Sequence, residues 1–426
     1  MKINDKLKFL LHASIASFGA YFCMYAFRKP FTVATYEGLE VFNIDYKILI
    51  IIFQVIGYTI SKFLGIKIIA EMKSAKRLML LIGFILFAEL ALLGFALVPP
   101  PYNVVFMFLN GMPLGMIWGI VFSYLEGRKA TEVLGVILCS SFIVSSGVVK
   151  SIGKFTMDMF GVSEFWMPFV TGLFFIIPLV FFGYLLERLP EPSEADKESR
   201  SARKPLNRSE RLALYKTFAF PLTLIVVFYV FITAARDFRD NFAREIWDVL
   251  GYEDSVGIYS YSEIPIAVLV LVILGLIGTV SKNYKAFLLY HLTLFLGGVL
   301  LVVSTFLFHI KVINPIVWMV ISGFSMYICY IPFQGLFFDR MIATFKINGN
   351  VGFLIYIADA FGYLGSVLVL LYKNFGKGDI SYLLFFEVMA YLIAVLAITI
   401  AVLSYLFFRM KHKKSNLSIT SPVIGS

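Results

Sequence analysis

Two arginines in this chain lie where apolar helices would carry them into a membrane. The apolar run from Phe9 to Phe27 contains no acidic or basic side chain except His12, and Arg28 follows it directly. In a later apolar run, Arg236 lies at nearly the same depth. Arginine at membrane depth is costly and usually faces a cavity or a partner. Because a guanidinium binds phosphate or carboxylate through two parallel hydrogen bonds, two facing arginines predict a site for a divalent anion.

The side chains near each arginine repeat a common spacing. Both sets follow an i, i+4, i+7 pattern, which places the three residues on one face of a helix. If a pseudo-twofold axis relates the two helices, the two arginines face each other across the interface. The two sets are Tyr21, Tyr25 and Arg28, and Tyr229, Thr233 and Arg236.

A simpler interpretation of these charges remains open. Arg28 and Lys29 would then only mark the membrane surface. Arg236, Asp240 and Arg244 are spaced as ordinary i, i+4 ion pairs on an extended helix end. That pattern explains Asp240 and Arg244 well, but it explains Arg236 less well because Arg236 is the deepest of the set.

The composition indicates what class of protein positions these residues. The chain has 426 residues, of which 60% are hydrophobic and 15% are charged, and its mean hydropathy is +0.86. A soluble protein of this length could not bury so much apolar surface. The net charge of +10 therefore indicates membrane-protein loops held on the cytoplasmic side, and it does not indicate nucleic-acid binding.

The hydropathy pattern predicts an all-α membrane protein with twelve transmembrane helices in two pseudo-symmetric six-helix halves. The apolar runs are long and continuous, whereas a barrel strand would alternate over about ten residues. Two equal halves joined by a polar, proline-containing linker indicate a duplicated transporter architecture. The predicted spans are 9–28, 46–70, 78–97, 102–124, 133–153, 164–186, 217–240, 257–280, 286–308, 313–336, 351–372 and 381–408.

The same pattern predicts the organisation of the chain. We expect an N-terminal six-helix half over 1–186, a cytoplasmic linker over 187–216, a C-terminal six-helix half over 217–410 and a disordered cytoplasmic tail over 411–426. Lysine and arginine concentrate in alternate loops, which predicts that both termini are cytoplasmic. The only expected contacts besides substrate are with surrounding lipid, and the expected oligomeric state is a monomer.

Other kinds of site find little support in the sequence. Cys23, Cys139 and Cys329 lie in apolar runs without CxxC spacing, and the four histidines are scattered. We therefore predict no metal site and no cofactor. We also predict that the protein is not an enzyme, because no nucleophile–base pair or phosphate-cradling glycine loop is evident.

Short motifs around the charged residues occur together in one known family. They are Tyr25-x-x-Arg28-Lys29-x-Phe31, Ser61-Lys62-Phe63, Arg236, Gly323-Phe324 with Tyr327, and Phe361-Gly362-Tyr363-Leu364-Gly365. With these motifs the chain resembles the organophosphate:phosphate antiporter family of the major facilitator superfamily. The resemblance covers all twelve spans and implies the major facilitator fold in a bacterial inner membrane.

The resemblance also implies roles for individual residues. Arg28 and Arg236 would clamp the phosphate of the substrate, with Lys62 nearby and Tyr25 donating a hydrogen bond. Tyr21 and Tyr229 share the arginine faces and are further candidates for substrate binding. The histidine that the family carries in its fifth helix is absent, and Lys150, one or two turns further on, is a candidate anion contact.

Two acidic residues keep alternative mechanisms open. Asp359 stands three residues before Gly362, where the family usually has a small residue. It could pair with an arginine or carry a proton, and Glu263 in the eighth span is a second candidate for proton coupling. For Glu89 and Glu387 we expect packing or lipid-boundary roles.

Three functional hypotheses follow. The first is a secondary active transporter that exchanges small organic anions, either phosphorylated or carboxylated metabolites, by alternating access. The second keeps the fold and makes the protein a proton-coupled symporter that uses Asp359 or Glu263. The third is a sensor of a sugar phosphate that does not transport and that contacts a signalling partner through the 187–216 linker or another cytoplasmic loop.

Overall fold

The computed structural model describes residues 3–70, 72, 74–126, 128, 130–191, 208–345, 351–375 and 380–420, and helices dominate them. Eleven segments of these residues are long and apolar enough to cross a membrane. Helix Val351–Phe375 coincides with the remaining predicted span. The fold is therefore the predicted all-α membrane architecture with two six-helix halves.

The first half contains six long helices. They are α1 (Ile3–Tyr25), α2 (Tyr46–Ala70), α3 (Arg77–Leu97), α4 (Val104–Leu125), α5 (Thr131–Phe160) and α6 (Met167–Glu187). A 3-10 turn, Pro30–Val33, follows α1, and a small hairpin pairs Glu40–Val41 with Ile44–Asp45 before α2 begins. A second 3-10 turn, Ser74–Lys76, precedes α3.

The second half repeats the arrangement and adds two short helices. Its helices are α7 (Arg208–Asn241), α8 (Ala243–Val249), α9 (Ile258–Gly278), α10 (Asn283–His309), α11 (Pro315–Tyr330), α12 (Leu336–Phe345), α13 (Val351–Phe375) and α14 (Tyr382–Thr420). A 3-10 turn, Ile331–Gln334, separates α11 from α12. Gly335 has φ +140° there, a conformation that side chains disfavour, so the tenth span ends at this point.

Both chain ends lie at the same end of the bundle. The His12 imidazole contacts the carbonyl of Leu185 near the end of α6, and the His412 ring stacks on Tyr284 with 3.8 Å between centroids. We call this end the terminal side and the opposite end the distal side. The halves meet where α2 packs on α13 and where α5 packs on α9.

Helices extend into the predicted linker and the predicted tail. Helix α7 begins at Arg208, within the predicted linker, and its backbone is non-helical at Phe218 because Pro221 cannot donate to the ladder. Residues 192–207 of the linker lie outside the described residues. The tail was expected to be disordered, but α14 continues to Thr420, and Lys411 there donates to the carbonyl of Thr217 over 3.1 Å. Residues 421–426 are also outside the described residues.

The end of α1 differs from the prediction in a way that affects Arg28. The helix ends at Tyr25, so Arg28 lies three residues beyond its last residue. Pro30 contributes to this end, because it has no N–H to donate to the carbonyl of Ala26 four residues earlier. The backbone continues in tight turns, and the N–H groups of Arg28 and Lys29 both donate to the carbonyl of Tyr25, over 3.0 and 2.9 Å.

Candidate functional site

Arg28 is buried in a cage of tyrosine rings. Its guanidinium carbon lies 4.0 Å from the ring centroid of Tyr58 on α2, 5.8 Å from that of Tyr25 and 5.9 Å from that of Tyr363 on α13. Only 4% of the residue is exposed. Within the described residues Arg28 forms no ion pair, and its Nε has no hydrogen-bond partner. The cage therefore holds a positive charge that no carboxylate neutralises directly.

Two side-chain amides fix the backbone that carries Arg28. Gln54 of α2 donates to the carbonyl of Arg28 over 3.0 Å and to Oδ1 of Asn110 over 2.8 Å. Asn110 of α4 donates to the carbonyls of Phe27 and Ala88 over 3.0 and 3.1 Å. Because α1 has already ended, these carbonyls need partners from elsewhere. The two amides thus take the place of the helical ladder that Pro30 interrupts.

Arg236 of α7 occupies a related environment in the second half. Its Nη2 lies 2.7 Å from Oδ1 of Asp237, and the hydroxyl of Ser366 donates to the other oxygen of that carboxylate over 2.9 Å. The guanidinium carbon lies 4.5 Å from the ring centroid of Tyr330 and 5.8 Å from that of Phe142. Arg236 is thus a buried cation with a carboxylate beside it, unlike Arg28.

One stacked aromatic pair connects the two arginines. The rings of Tyr25 and Phe142 stack with 6.5 Å between centroids. Arg28 lies against Tyr25, and Arg236 lies against Phe142. Tyr21 packs edge-on against Tyr25 at 5.7 Å. The arginines of the two halves therefore lie against the same aromatic pair, and we call this buried region between the halves the central cleft.

Lys62 and Asp359 meet across the central cleft. Nζ of Lys62 lies 3.2 Å from Oδ2 of Asp359 and within about 6 Å of the rings of Tyr58, Trp118 and Tyr363. The hydroxyl of Tyr229 also donates to the Asp359 carboxylate. Tyr229 thus contacts an acid of the cleft, and Asp359 pairs with a lysine instead of an arginine.

Lys150 joins a cluster on the distal side of the cleft. It donates to the carboxylate and, over 2.5 Å, to the carbonyl of Asp240. Lys29 binds the same carboxylate and also donates to Asn241 over 2.7 Å. The i, i+4 pairs proposed for Asp240 are absent among the described residues, because the end of α7 turns Asp240 toward the first half. Arg244 pairs with Asp248 instead, at 2.5 Å.

Further polar contacts close the distal side. Lys47 lies 2.5 Å from Oε1 of Glu245, and Lys154 donates to the carbonyl of Glu253 over 2.5 Å. Burial raises the pKa of the Glu245 carboxyl above its usual value, and the adjacent Lys47 ammonium opposes part of that shift. All these contacts join the first half to the second, so the two halves are closed together on this side.

One ion pair of the described residues joins the two halves on the terminal side. Arg340 of α12 lies 2.7 Å from Glu132 of α5 and donates to Asn283 over 2.6 Å. Beside this pair is a narrow crevice lined by residues of both halves. Its walls include Trp118, which packs near Lys62, and Gln334, which donates to Asp359 over 3.0 Å. The crevice therefore extends from the terminal side toward the central cleft.

The remaining acidic candidates lie apart from the cleft. Glu263 of α9 lies 2.5 Å from Arg239 of its own half, and Arg239 also donates to the carbonyl of Met319 over 3.1 Å. Glu89 is buried in the first half against Gly172 of α6, and Glu387 lies 3.3 Å from Nδ1 of His309. These carboxyls have neighbours other than the cleft arginines.

The structure adds residues that the sequence analysis did not select. They are Gln54, Asn110, Asp237, Gln334 and Ser366. Gln54, Asn110 and Gln334 could have been selected from the sequence, since a polar group in an apolar span must find a partner inside the protein. Asp237 lies in a run of closely spaced charged residues. Residue spacing alone predicts neither its ion-pair partner nor its depth in the membrane.

Comparisons with known proteins complete the description. The model of one protein family, described as "Family of unknown function (DUF5690)", matches residues 30–411. No curated protein matches the chain.

Solved transporter structures share the fold. The nucleoside transporter NupG has a TM-score of 0.58 at 14% identity, covering 94% of this chain and 99% of that chain. A mutant of the same transporter has a TM-score of 0.59 at 15% identity, covering 94% and 100%. The xylose transporter XylE from E. coli, in an inward open conformation, has a TM-score of 0.55 at 13% identity, covering 91% and 94%. Identities this low show the fold alone, and that fold is the predicted major facilitator fold.

Proposed function

Because this chain belongs to the family of unknown function DUF5690 and has the major facilitator fold, we propose that it is a secondary active transporter of small organic anions. One observation supports the anion most strongly. Arg28 is a buried guanidinium without an ion pair among the described residues, and it lies in a cleft between the two halves. The substrate would supply the missing negative charge.

The charges around the cleft favour an anion over a neutral substrate. Arg28, Lys62 and Arg236 carry three positive charges, whereas Asp237 and Asp359 carry two negative ones. Stacking on tyrosine rings holds a guanidinium through cation–π attraction and leaves its N–H edges free for a ligand. A phosphate or carboxylate group fits those edges. In this proposal Tyr25, Tyr21 and Tyr229 line the rest of the site.

Alternating access would move the anion. The polar contacts on the distal side must separate when the cleft opens there, and the Arg340–Glu132 pair must separate when it opens on the terminal side. The resemblance to organophosphate:phosphate antiporters supports anion exchange and a phosphorylated metabolite as the substrate. We further propose that the terminal side faces the cytoplasm of a bacterial cell, because the basic loops lie there.

The proposal is tested by anion exchange in liposomes. Purified protein is reconstituted with internal inorganic phosphate, and uptake of labelled external phosphate is measured. We expect Arg28→Ala and Arg236→Ala to reduce exchange about 100-fold or more, since each removes a charge-assisted contact to a buried anion. Arg244→Ala is the matched control, because that arginine pairs with Asp248 outside the cleft. Full exchange in both cleft variants would refute the two-arginine site.

Proton-coupled symport is the second candidate, and one observation favours it. Asp359 is a buried carboxylate at the contact between the halves, whereas Glu263 pairs within its own half. A protonophore that abolishes uptake, together with loss of uptake in Asp359→Asn, would support symport over exchange. The sensor hypothesis depends on the linker, of which residues 192–207 lie outside the described residues.

A further inference from the structure

The ion pairs between the halves follow a consistent arrangement outside the terminal side. In each such pair of the described residues, the first half contributes a lysine and the second half contributes a carboxylate. The pairs are Lys29–Asp240, Lys47–Glu245, Lys62–Asp359 and Lys150–Asp240. Three of them lie on the distal side. Lys62–Asp359 alone of these four lies in the central cleft, beside the tyrosine rings that hold Arg28.

Asp359 is held in place by its own half. Tyr229 of α7 and Gln334 of the Ile331–Gln334 turn both donate to its Oδ1, the latter over 3.0 Å. Lys62 reaches the other oxygen, Oδ2, from α2 of the first half. The carboxylate therefore keeps two donors when the halves separate, and Lys62 is the partner that arrives when they close.

Closing the cleft buries the Lys62 ammonium. The residue is 5% exposed in the closed arrangement. An ammonium enclosed without a counter-charge carries a large desolvation cost, and losing one partner of a buried pair is strongly unfavourable. A carrier loaded with an anion has a counter-charge in the cleft. A carrier without substrate has only the charges that the protein itself provides.

We infer that Asp359 is an internal counter-anion, which allows the carrier to close around Lys62 and return without substrate. This inference rests on the proposed anion transport and specifies its coupling. The protein then performs net transport as well as exchange, because the unloaded form completes the cycle. Without the Asp359 carboxylate, only the anion-loaded carrier closes readily, and exchange is the mode that remains.

The decisive experiment compares two modes of flux in the same liposomes. Vesicles loaded with labelled phosphate are diluted into buffer with phosphate, which measures exchange, or without it, which measures net efflux. Potassium and valinomycin on both sides remove the membrane potential that net efflux would build. The proteins are the wild type, Asp359→Asn and the double variant Lys62→Gln/Asp359→Asn. Glu263→Gln is the control, since its carboxylate pairs with Arg239 of the same half.

The measured quantity is the ratio of the net efflux rate to the exchange rate. We expect Asp359→Asn to lower this ratio about 100-fold, because the buried Lys62 ammonium loses the negative charge of the Asp359 carboxylate. The double variant should restore the ratio, since no ammonium remains to be enclosed, and Glu263→Gln should leave it unchanged. An unchanged ratio in Asp359→Asn overturns the inference. Loss of both modes in Asp359→Asn without recovery in the double variant also overturns it, as does a wild type that exchanges but shows no net efflux.

A second readout does not depend on the substrate. Spin labels at Phe42 and Val249, which are exposed on the distal side of the two halves, report the distance between the halves in phosphate-free nanodiscs. Asp359→Asn should shift this distance to longer values, and the double variant should shorten it again. Identical distances in all three proteins would overturn the inference. A wild type that exchanges no phosphate would instead count against the proposed function.

Discussion

Gln54 donates a hydrogen bond of 3.0 Å to the carbonyl of Arg28, which lies three residues beyond the end of α1 at Tyr25. A side chain of another helix therefore fixes the backbone that carries the Arg28 guanidinium. Asn110, which accepts a hydrogen bond from Gln54, in turn donates to the carbonyls of Phe27 and Ala88. A transport defect at Gln54 would thus act through the position of Arg28 and not through contact with substrate.

Replacing Gln54 with Leu should weaken anion binding more than it weakens the fold. The substitution leaves the carbonyl of Arg28 and Oδ1 of Asn110 without their donor, at a cost of about 1–3 kcal/mol each. We expect a higher KM for phosphate exchange with a smaller change in kcat. Thr59→Val is the matched control on the same helix, because within the described residues its hydroxyl donates to the carbonyl of Val55, inside α2. Equal KM values for the two variants would contradict the positioning role.

Asp240 should hold the distal side closed. Asp240→Asn leaves the ammonium groups of Lys29 and Lys150 buried without their shared carboxylate. Losing one partner of a buried pair costs about 3–5 kcal/mol, so we expect the distal side to open.

A single cysteine can report this opening. Ser151 of α5 contacts Ser260 of α9 across the two halves at 2.8 Å, so Ser151→Cys becomes accessible when they separate. Labelling by a membrane-impermeant maleimide should be about 100-fold faster in Asp240→Asn, in a background without the native cysteines. Asp248→Asn is the control, since Asp248 pairs with Arg244 one helical turn away. Similar labelling rates in the two carboxylate variants would exclude a sealing role for Asp240.

The fold and the identity of several cleft residues could be predicted from the sequence for a physical reason. Apolar spans must be helical and must satisfy their own backbone, so length and hydropathy alone determine the number of elements. Arg28, Lys62 and Asp359 were detectable because charges within apolar runs are expensive and stand out. The contact of Lys62 with Asp359 could not be predicted from the sequence, since it joins residues 297 positions apart in the chain.

The details of the arginine site depended on local backbone geometry that spacing does not encode. Helical spacing placed Arg28 on the face of Tyr21 and Tyr25, but Pro30 ends α1 before Arg28 is reached. Ion-pair spacing likewise assigned Asp240 to neighbours on its own helix. Its partners come from the other half, because two lysines there lie closer to the carboxylate than Arg236 or Arg244 do. A local proline thus alters the first pattern, and tertiary contacts override the second.

Gly147 should control how closely the halves approach on the distal side. It lies on α5 where α9 packs against it, and a Cβ at this position would overlap the carbonyl of Tyr259 and approach Cβ of Glu263 to 2.9 Å. Because the first obstacle is backbone, Gly147→Ala must push α5 and α9 apart. Gly135→Ala is the matched control on the same helix, since its nearest neighbour there, a ring carbon of Phe122, is 3.9 Å away.

We expect Gly147→Ala to favour the open distal side, with faster labelling of Ser151→Cys and slower exchange. Anion binding should persist, because the cleft arginines are unaffected, and a thermal shift by phosphate would measure it. The added methyl opposes only closure, so loss of exchange with retained binding distinguishes a conformational effect from damage to the site. Exchange and labelling equal to those of Gly135→Ala would show that the halves do not need this close approach to complete the cycle.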